Sequence, residues 1–385
     1  MENTVQTLDA PRHIALFLPN FDGGGAERAF VTLARGLAEL GHRVDLVAGT
    51  AKGPLRAEIS PLVRVIDLAA PRLVASLPGL IRYLKTERPE RLYSALEGAG
   101  ILALLARWLA GKPSIQIVPS IRNTLSDEAR QATSKRKLML WLARWLYPSA
   151  DAVIAVSQGV ATDASRVLRL PASTFSVVRN PTLTPELRSA AAAPVDHPWF
   201  NPKSVPVIMG CGRLVPQKDF ATLIEAFALV HAARRCRLLI LGEGPLRADL
   251  VRLAEDRGVA ADFALPGFDP NPYRFMARAD VFVLSSQFEG SPNVIVQALA
   301  SGASVVSTDC PSGPNEILAG VSRGRLVPVG DARQMANEIS VTLSESDGRP
   351  HPVDLPGFGY LEASQRYLDV VDARLGRTAA GAAAA

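Results

Sequence analysis

The stretch His13 to Val47, HIALFLPNFDGGGAERAFVTLARGLAELGHRVDLV, decides the fold. His13 to Pro19 is a short apolar run and reads as a buried strand. Gly23, Gly24 and Gly25 turn the chain. Phe30, Leu33, Ala34 and Leu37 then recur at helical spacing as far as Gly41, a residue able to take the left-handed conformation that closes a helix. Val44 to Val47 supplies the next strand. Strand, glycine turn, helix, glycine cap and strand form a βαβ unit, whose handedness implies a parallel sheet with helices on its faces.

The same grammar starts again further on. Val207–Cys211 reads as a strand, a helix is expected from about Asp219 with Phe220, Leu223, Ile224 and Phe227 on one face, and Leu238–Leu241, Val281–Leu284 and Ser304–Val306 follow as strands between helical segments. Between the two halves, Ala190 to Pro206 is rich in alanine and proline with few periodic apolar positions, and reads as a linker. The expected architecture is therefore α/β, with two Rossmann-like doubly wound domains: residues 1–188, a linker over 189–205, and residues 206–359. A last helical segment over 360–376 is expected to pack back on the first domain, and 377–385 to fray. Open α/β sheets bind ligands beyond the C-terminal ends of their strands, so the chemistry is expected there, in a cleft between the domains.

Composition narrows the options. With 385 residues, 48% hydrophobic and 21% charged, the chain can build a core in each of two or three domains, which excludes a disordered tail or a staple-dependent miniprotein. Cys211, Cys236 and Cys310 are odd in number and lack a C-x-x-C pairing, so neither a disulfide framework nor a zinc cluster is expected and a reducing cytoplasm fits. The start, MENTVQTLDAPR, has no apolar run of a signal peptide. The longest uncharged stretch, Gly290 to Thr308, is broken by Ser291, Pro292, Asn293, Gln297, Ser301 and Gly302, and is unfit to span lipid. Net charge is +5 but uneven: residues 1–180 hold 23 Lys/Arg against 15 Asp/Glu. Either the first half meets something anionic, or it simply presents a solvated basic face. Nucleic acid would rest on this charge alone and is not expected as a partner.

Three junctions could carry chemistry. Gly23-Gly24-Gly25-Ala26-Glu27-Arg28 lies between strand and helix, where backbone N–H groups and the helix dipole favour an anion. It fails the dinucleotide fingerprint, since Arg28 stands at the third glycine position, and no P-loop occurs. Phosphate or sugar contact and a plain tight turn both remain open. The second is Gly212-Arg213-Leu214-Val215-Pro216-Gln217-Lys218-Asp219, in which Arg213 offers forked donors and Lys218 a compact charge, able together to neutralise a diphosphate, or else simply two solvated cations. The third runs from Ser285 to Gly302. An apolar strand ends at Leu284, Glu289 lies in the loop, Gly290 permits close approach, and a helix starts near Asn293 with its free N–H groups aimed back into the expected cleft. Glu289 and Gln297, eight apart, could face one ligand; an incidental acid at a strand–helix junction is the plain alternative.

Taken in order, Gly23-Gly24-Gly25-Ala26-Glu27, Ser157-Gln158-Gly159, Asn180-Pro181, Gly212-Arg213 with Lys218-Asp219, Leu241-Gly242-Glu243-Gly244-Pro245, Gly267-Phe268 and Glu289-Gly290 through Gly302 resemble the retaining nucleotide-sugar glycosyltransferases of family 4, whose fold is GT-B, two facing Rossmann-like domains. Thr308 to Glu316 also looks like members that build bacterial surface glycans. The resemblance implies that Arg213 and Lys218 clamp the diphosphate, that the base lies near Gly267-Phe268, and that Glu289 meets the donor sugar, with Gly212, Gly290, Ser291, Asn293, Val294 and Gln297 around the donor. Gln297 replaces the second glutamate of the family's pair, which usually holds the ribose; an amide can still donate to and accept from hydroxyls. Where the family often has a first-domain histidine, this chain has Arg122 in Ser120-Ile121-Arg122-Asn123, and Arg122, Asn123, Gly24 and Gly25 are candidates for the acceptor or a phosphate.

The resemblance further implies transfer of a hexose or N-acetylhexosamine, from a UDP-sugar as first guess, to a glycan or lipid-linked acceptor of a cell-surface polysaccharide. No cofactor is expected, and since no D-x-D occurs no metal is expected either, the leaving diphosphate being met by cations and helix N-termini. A non-catalytic sugar-nucleotide or glycan binder, or a GT-B epimerase or phosphorylase, are the alternatives.

Lys135 to Tyr147, KRKLMLWLARWLY, carries Leu138, Trp141, Leu142, Trp145 and Leu146 at helical spacing, with Arg136, Lys137 and Arg144 off that stripe. It reads either as a basic amphipathic helix in contact with an anionic membrane, or as a helix packed on the first sheet. The expected location is the cytoplasm, peripheral at the inner face of the membrane if the first reading holds.

Overall fold

The computed structural model describes residues 10–112, 114–130 and 134–382. The chain forms two compact units, Met1–Thr182 with Gly357–Ala385, and Leu183–Pro356.

In the first unit, β1 (His13–Leu18), β2 (Arg43–Ala48), β3 (Val63–Asp67), β4 (Arg91–Ala95), β5 (Gln116–Ile121), β6 (Val153–Ala155) and β7 (Phe175–Val177) form one parallel sheet in the order β3-β2-β1-β4-β5-β6-β7. Its helices are α1 (Gly25–Glu39), α2 (Leu77–Glu87), α3 (Glu97–Ala110), α4 (Leu125–Arg130), α5 (Ser134–Leu146) and α6 (Gln158–Leu168). Alternation along β1 sorts side chains between two cores: Ala15 and Phe17 face one, Ile14, Leu16 and Leu18 the other. A sheet covered on both faces needs such continuous apolar strands. The anticipated stripe of α1, Phe30, Leu33, Ala34 and Leu37, is buried.

In the second unit, α7 (Glu186–Ala192), α8 (Phe220–Ala233), α9 (Arg247–Asp256), α10 (Tyr273–Met276), α11 (Asn293–Ser301), α12 (Pro314–Leu318) and α13 (Ala332–Glu345) accompany β8 (Val207–Cys211), β9 (Arg237–Leu241), β10 (Phe263–Gly267), β11 (Val281–Leu284), β12 (Ser304–Thr308) and β13 (Gly324–Val327). These strands are parallel, in the order β10-β9-β8-β11-β12-β13.

Two sequence expectations are corrected here. The linker assigned to 189–205 begins inside α7, a helix of the second unit that packs on α10 and α11. Its alanines, read as spacer, are strong helix formers. Its last carbonyls are satisfied from α10 and its neighbours, Asn271 donating to Ala190, and Arg278 to Ala191 and Ala192. The terminal helix α14 runs Tyr360–Ala382 rather than stopping at 376, again through alanine; 383–385, part of the expected frayed tail, lie outside the described residues.

α14 belongs to the first unit and packs on α1. Tyr93 donates to the Tyr367 carbonyl at 2.9 Å, and Arg91, only 1% exposed, pairs with Asp372, which also takes Arg12 at 2.9 Å. At the opposite end of the strands from the loops that follow them, the fully buried carboxylate of Asp45 accepts from Arg64 at 2.8 and 2.6 Å and from Tyr83 at 2.7 Å, with His13 Nε2 at 2.8 Å. Burial raises this carboxyl's pKa, but the bonds from Arg64, Tyr83 and His13 outweigh it and hold the group below the usual aspartate range. A depressed carboxyl stabilises the fold above its unfolded pKa and loses that contribution as pH falls through the folded value. Urea midpoints measured from pH 5 down to pH 2 are therefore expected to fall more steeply in the parent than in Asp45→Asn; equal slopes would contradict it.

Candidate functional site

In the second sheet the chain order reverses between β8 and β11, the adjacent strands from which it winds outward in both directions. At such a switch point the loops after the two strands diverge and leave room for a ligand beyond their C-terminal ends. The loop after β8 carries Arg213 and Lys218; the loop after β11 carries Glu289 and leads into α11. The residues singled out by sequence thus stand on the two loops that flank this point.

The structure joins two of them directly. Lys218 Nζ donates to Glu289 Oε1 at 2.6 Å, and Ser286 Oγ donates to the same oxygen at 2.7 Å. Lys218 and Glu289 are 16% and 9% exposed at their side chains, so the pair is largely withdrawn from water. Glu289 Oε2 accepts no hydrogen bond among the described residues. The loops are locked to each other: Ser285 Oγ donates to the Lys218 carbonyl at 2.8 Å, Gln217 Nε2 to the Phe288 carbonyl at 2.9 Å, and the Gln287 N–H to the Gln217 carbonyl at 2.8 Å. Lys218 is therefore not the solvated cation of the plain reading; fixed and half-buried, its ammonium faces a carboxylate. Arg213 differs. It is exposed and makes no side-chain hydrogen bond or ion pair among the described residues.

Two glycines shape this end of the sheet. A Cβ on Gly242, at φ +147°, would lie 1.8 Å from the Gly212 carbonyl oxygen, so only glycine lets the turn after β9 lean on the turn after β8. Gly313, at φ +95°, backs the Gly290–Pro292 segment, where a Cβ would meet Ser291 Cα at 3.0 Å. Gly290 is buried, and Ser291, Asn293 and Val294 are half-buried where α11 begins; the first N–H groups of any helix lack intrahelical acceptors. Gly267 ends β10, and Phe268 after it is 66% exposed, an unusual degree for a phenyl ring. Gln297 is buried on α11 and donates through Nε2 to the Tyr273 hydroxyl at 3.3 Å. It does not bond Glu289. Cys310 lies beside the site, but burial and the nearby charge of Glu289 push its thiol up to about 12, leaving it protonated at neutral pH.

The first-unit candidates fare differently. Arg122 is buried and its guanidinium is used internally, donating to Asn180 Oδ1 at 2.6 Å, the Tyr367 hydroxyl at 3.2 Å and Ser120 Oγ at 3.3 Å, with its carbon 5.2 Å from the Phe30 ring centroid. In these bonds the cation fastens α14 to the sheet. Asn123 is half-buried, its Oδ1 accepting from the Thr124 N–H at 3.1 Å. Gly24 caps α1 and Gly25 opens it, yet the Glu27 carboxylate folds back over that turn, 2.3 Å from where a Gly24 Cβ would stand. An anion at Gly24 and Gly25 would have to displace a carboxylate.

Sequence reasoning missed Ser286, Tyr273 and Glu97. Ser286 was visible as a serine pair ending an apolar strand; Tyr273 carried no signal, since nothing local ties it to a glutamine 24 residues on. Glu97 follows β4, beside the switch point of the first sheet, and is buried with Arg136 Nη2 at 3.4 Å. Burial raises its pKa, against the charge of Arg136 and its own backbone N–H.

Among the described residues, His13, Asp45 and Glu87 form the group with metal-ligand spacing. Arg64 already bridges Asp45 and Glu87 at 2.6 Å each, so a guanidinium holds the cation position.

A family model described as Glycosyltransferase Family 4 matches residues 23–182, and one described as Glycosyl transferases group 1 matches residues 205–345. The chain belongs to glycosyltransferase family 4. This transferase is 27% identical over 351 residues to the Campylobacter jejuni N-acetylgalactosamine-N,N'-diacetylbacillosaminyl-diphospho-undecaprenol 4-alpha-N-acetylgalactosaminyltransferase, covering 86% of this chain and 90% of that one. It is 28% identical over 337 residues to the lipopolysaccharide core biosynthesis glycosyltransferase LpsE of Rhizobium meliloti, covering 85% and 87%. Among solved structures, Anabaena HepE in complex with UDP and glucose superposes with a TM-score of 0.72 at 18% identity, covering 96% of the transferase and 100% of HepE. WaaG, a glycosyltransferase involved in lipopolysaccharide biosynthesis, superposes with a TM-score of 0.69 at 17% identity, covering 92% and 95%. The fold is GT-B.

Proposed function

We propose that this transferase moves a hexose or N-acetylhexosamine, with retention, from a nucleoside-diphosphate sugar, a UDP-sugar first, to a lipid-linked or glycan acceptor in bacterial surface polysaccharide synthesis. The observation that carries the donor half is the pairing of an uncommitted Arg213 with a fixed Lys218–Glu289 couple at the β8/β11 switch point. A diphosphate there meets Arg213 and Lys218, while Glu289 Oε2 accepts from a sugar hydroxyl. As the bond from the anomeric carbon to the diphosphate breaks, charge grows on the β-phosphate, and Lys218, held in place beforehand by Glu289, stabilises it without rearranging while Arg213 adds its charge from the exposed side. The acceptor hydroxyl forms the new bond on the face the diphosphate leaves, its proton passing to a phosphate oxygen. Phe268 offers a ring for the base. The reaction is proposed to run without a metal. The names of the relatives, which include an undecaprenyl-diphosphate and a lipopolysaccharide core acceptor, support the acceptor half.

A thermal-shift panel of UDP-, GDP- and ADP-sugars tests the donor, because a ligand that binds only the native state raises stability by mass action. A UDP-sugar is expected to shift the melt in a metal-free buffer, and no shift from any of them would remove the proposal.

Peripheral membrane contact belongs to the same reading. The stripe of α5 divides: Leu142, Ala143 and Leu146 pack on the core, whereas Leu138, Trp141 and Trp145 remain 57%, 57% and 64% exposed. Trp108 and Leu109, at the end of the neighbouring α3, are 77% and 47% exposed. Residues 105–116 and 134–150 hold six Lys/Arg and no Asp/Glu. Arg107 pairs with Asp151 and Arg136 with Glu97, and the exposed indoles beside Lys137 and Arg144 suit an anionic lipid surface. No helix among the described residues is long and apolar enough to cross a membrane. Trp141→Ser with Trp145→Ser is expected to abolish cosedimentation with phosphatidylglycerol vesicles, and Lys137→Gln to weaken it about fivefold, at roughly 1 kcal/mol per basic residue near such a surface. Undiminished sedimentation of both variants would place the contact elsewhere.

A further inference from the structure

Gln297 occupies the place after β11 where the donor reading sets the ribose, and what this residue presents depends on which way its amide is turned. An amide has a donor end and an acceptor end, while a carboxylate accepts at both oxygens. In the structure one of the two Nε2 protons is committed, donated to the Tyr273 hydroxyl at 3.3 Å, and Gln297 Oε1 accepts nothing among the described residues. Gln297 is 8% exposed, so its amide has little water to turn toward. Tyr273 is itself held firmly. It opens α10, whose neighbours are tied down by Arg274 to Asp269 at 2.7 Å and by Asn271 to the Ala190 carbonyl at 2.9 Å, and α10 packs against α11.

We propose that Tyr273 is a positioning residue that fixes the Gln297 carbonyl as a single acceptor for one ribose hydroxyl of a nucleoside diphosphate. The inference rests on the donor reading above and adds a residue to it. A single acceptor reads one hydroxyl, so one of 2'-deoxy-UDP and 3'-deoxy-UDP binds much more weakly than UDP while the other binds nearly as well. Without the tyrosine hydroxyl the amide turns either way, and the discrimination fades.

The experiment measures Kd for UDP, 2'-deoxy-UDP and 3'-deoxy-UDP by calorimetry, with KM and kcat for donor hydrolysis, in the full chain and in Tyr273→Phe, Gln297→Glu and the double variant. In the parent, one deoxy analogue is expected to bind about tenfold more weakly than UDP, the worth of one hydrogen bond in a largely dry site. Tyr273→Phe is expected to shrink that ratio to about twofold and to raise KM with kcat nearly unchanged, as loss of uniform binding does. In the Gln297→Glu background the acceptor needs no orienting, so removing the hydroxyl is expected to change nothing beyond twofold. A merely structural tyrosine would lower affinity equally in both backgrounds and leave the ribo/deoxy ratio intact, which would overturn the proposal. Failure of every form to bind any nucleoside diphosphate would instead overturn the donor reading beneath it.

Discussion

Arg213→Ala is expected to lower kcat/KM for donor turnover by about a hundredfold while leaving the melting temperature where it was. The first half follows from the role: a donor that meets charge appearing only in the transition state is worth about 10²–10³ in rate. The second follows from the structure, because the side chain is exposed and bonded to nothing in the described protein. Surface substitutions of that kind leave stability almost unchanged. Lys218→Ala is expected to behave differently. Its removal strands the Glu289 carboxylate in a site only 9% exposed, with Ser286 as its remaining partner, so rate and stability fall together. Steady-state kinetics beside a thermal melt of each variant separates the cases. Wild-type turnover in Arg213→Ala would end its assignment to the diphosphate, whatever Lys218→Ala does.

Asp372→Ala is expected to destabilise the protein by about 3 kcal/mol, and Arg91→Met by clearly less. Breaking a buried ion pair costs most when the charge left behind cannot reach water. Arg91 is 1% exposed, enclosed between the sheet and α14, whereas the Asp372 side chain is 39% exposed and keeps Arg12. Losing the aspartate leaves a guanidinium in the core with Gln116 and the Leu368 carbonyl as acceptors, and with the solvent-facing Glu90, 3.8 Å away, as its remaining countercharge. Losing the arginine leaves a carboxylate that water can solvate. Urea unfolding of both variants measures the difference; equal losses would mean that packing, not charge, holds α14 to the first sheet.

For this transferase, local sequence determined whatever depends on neighbours along the chain. The glycine turn between β1 and α1, the apolar period of α1 and α8, and the strand–loop–helix junction around Glu289 all follow from spacing, since periods of 2 and 3.6 and the freedom of glycine act over a few residues. Alanine misled twice, in α7 and at the end of α14, because its high helix propensity carries no periodic mark. Where charge pairs and where it stays unpaired was decided by tertiary structure. Arg213 and Lys218 look alike in sequence, yet a loop 71 residues downstream of Lys218 brings a carboxylate to it and leaves Arg213 open. Arg122, by the same logic, is drawn inward by Asn180 and Tyr367, 58 and 245 residues away. The energy of an ion pair or hydrogen bond depends on distance and burial in space, and neither is written in the spacing of residues along a chain.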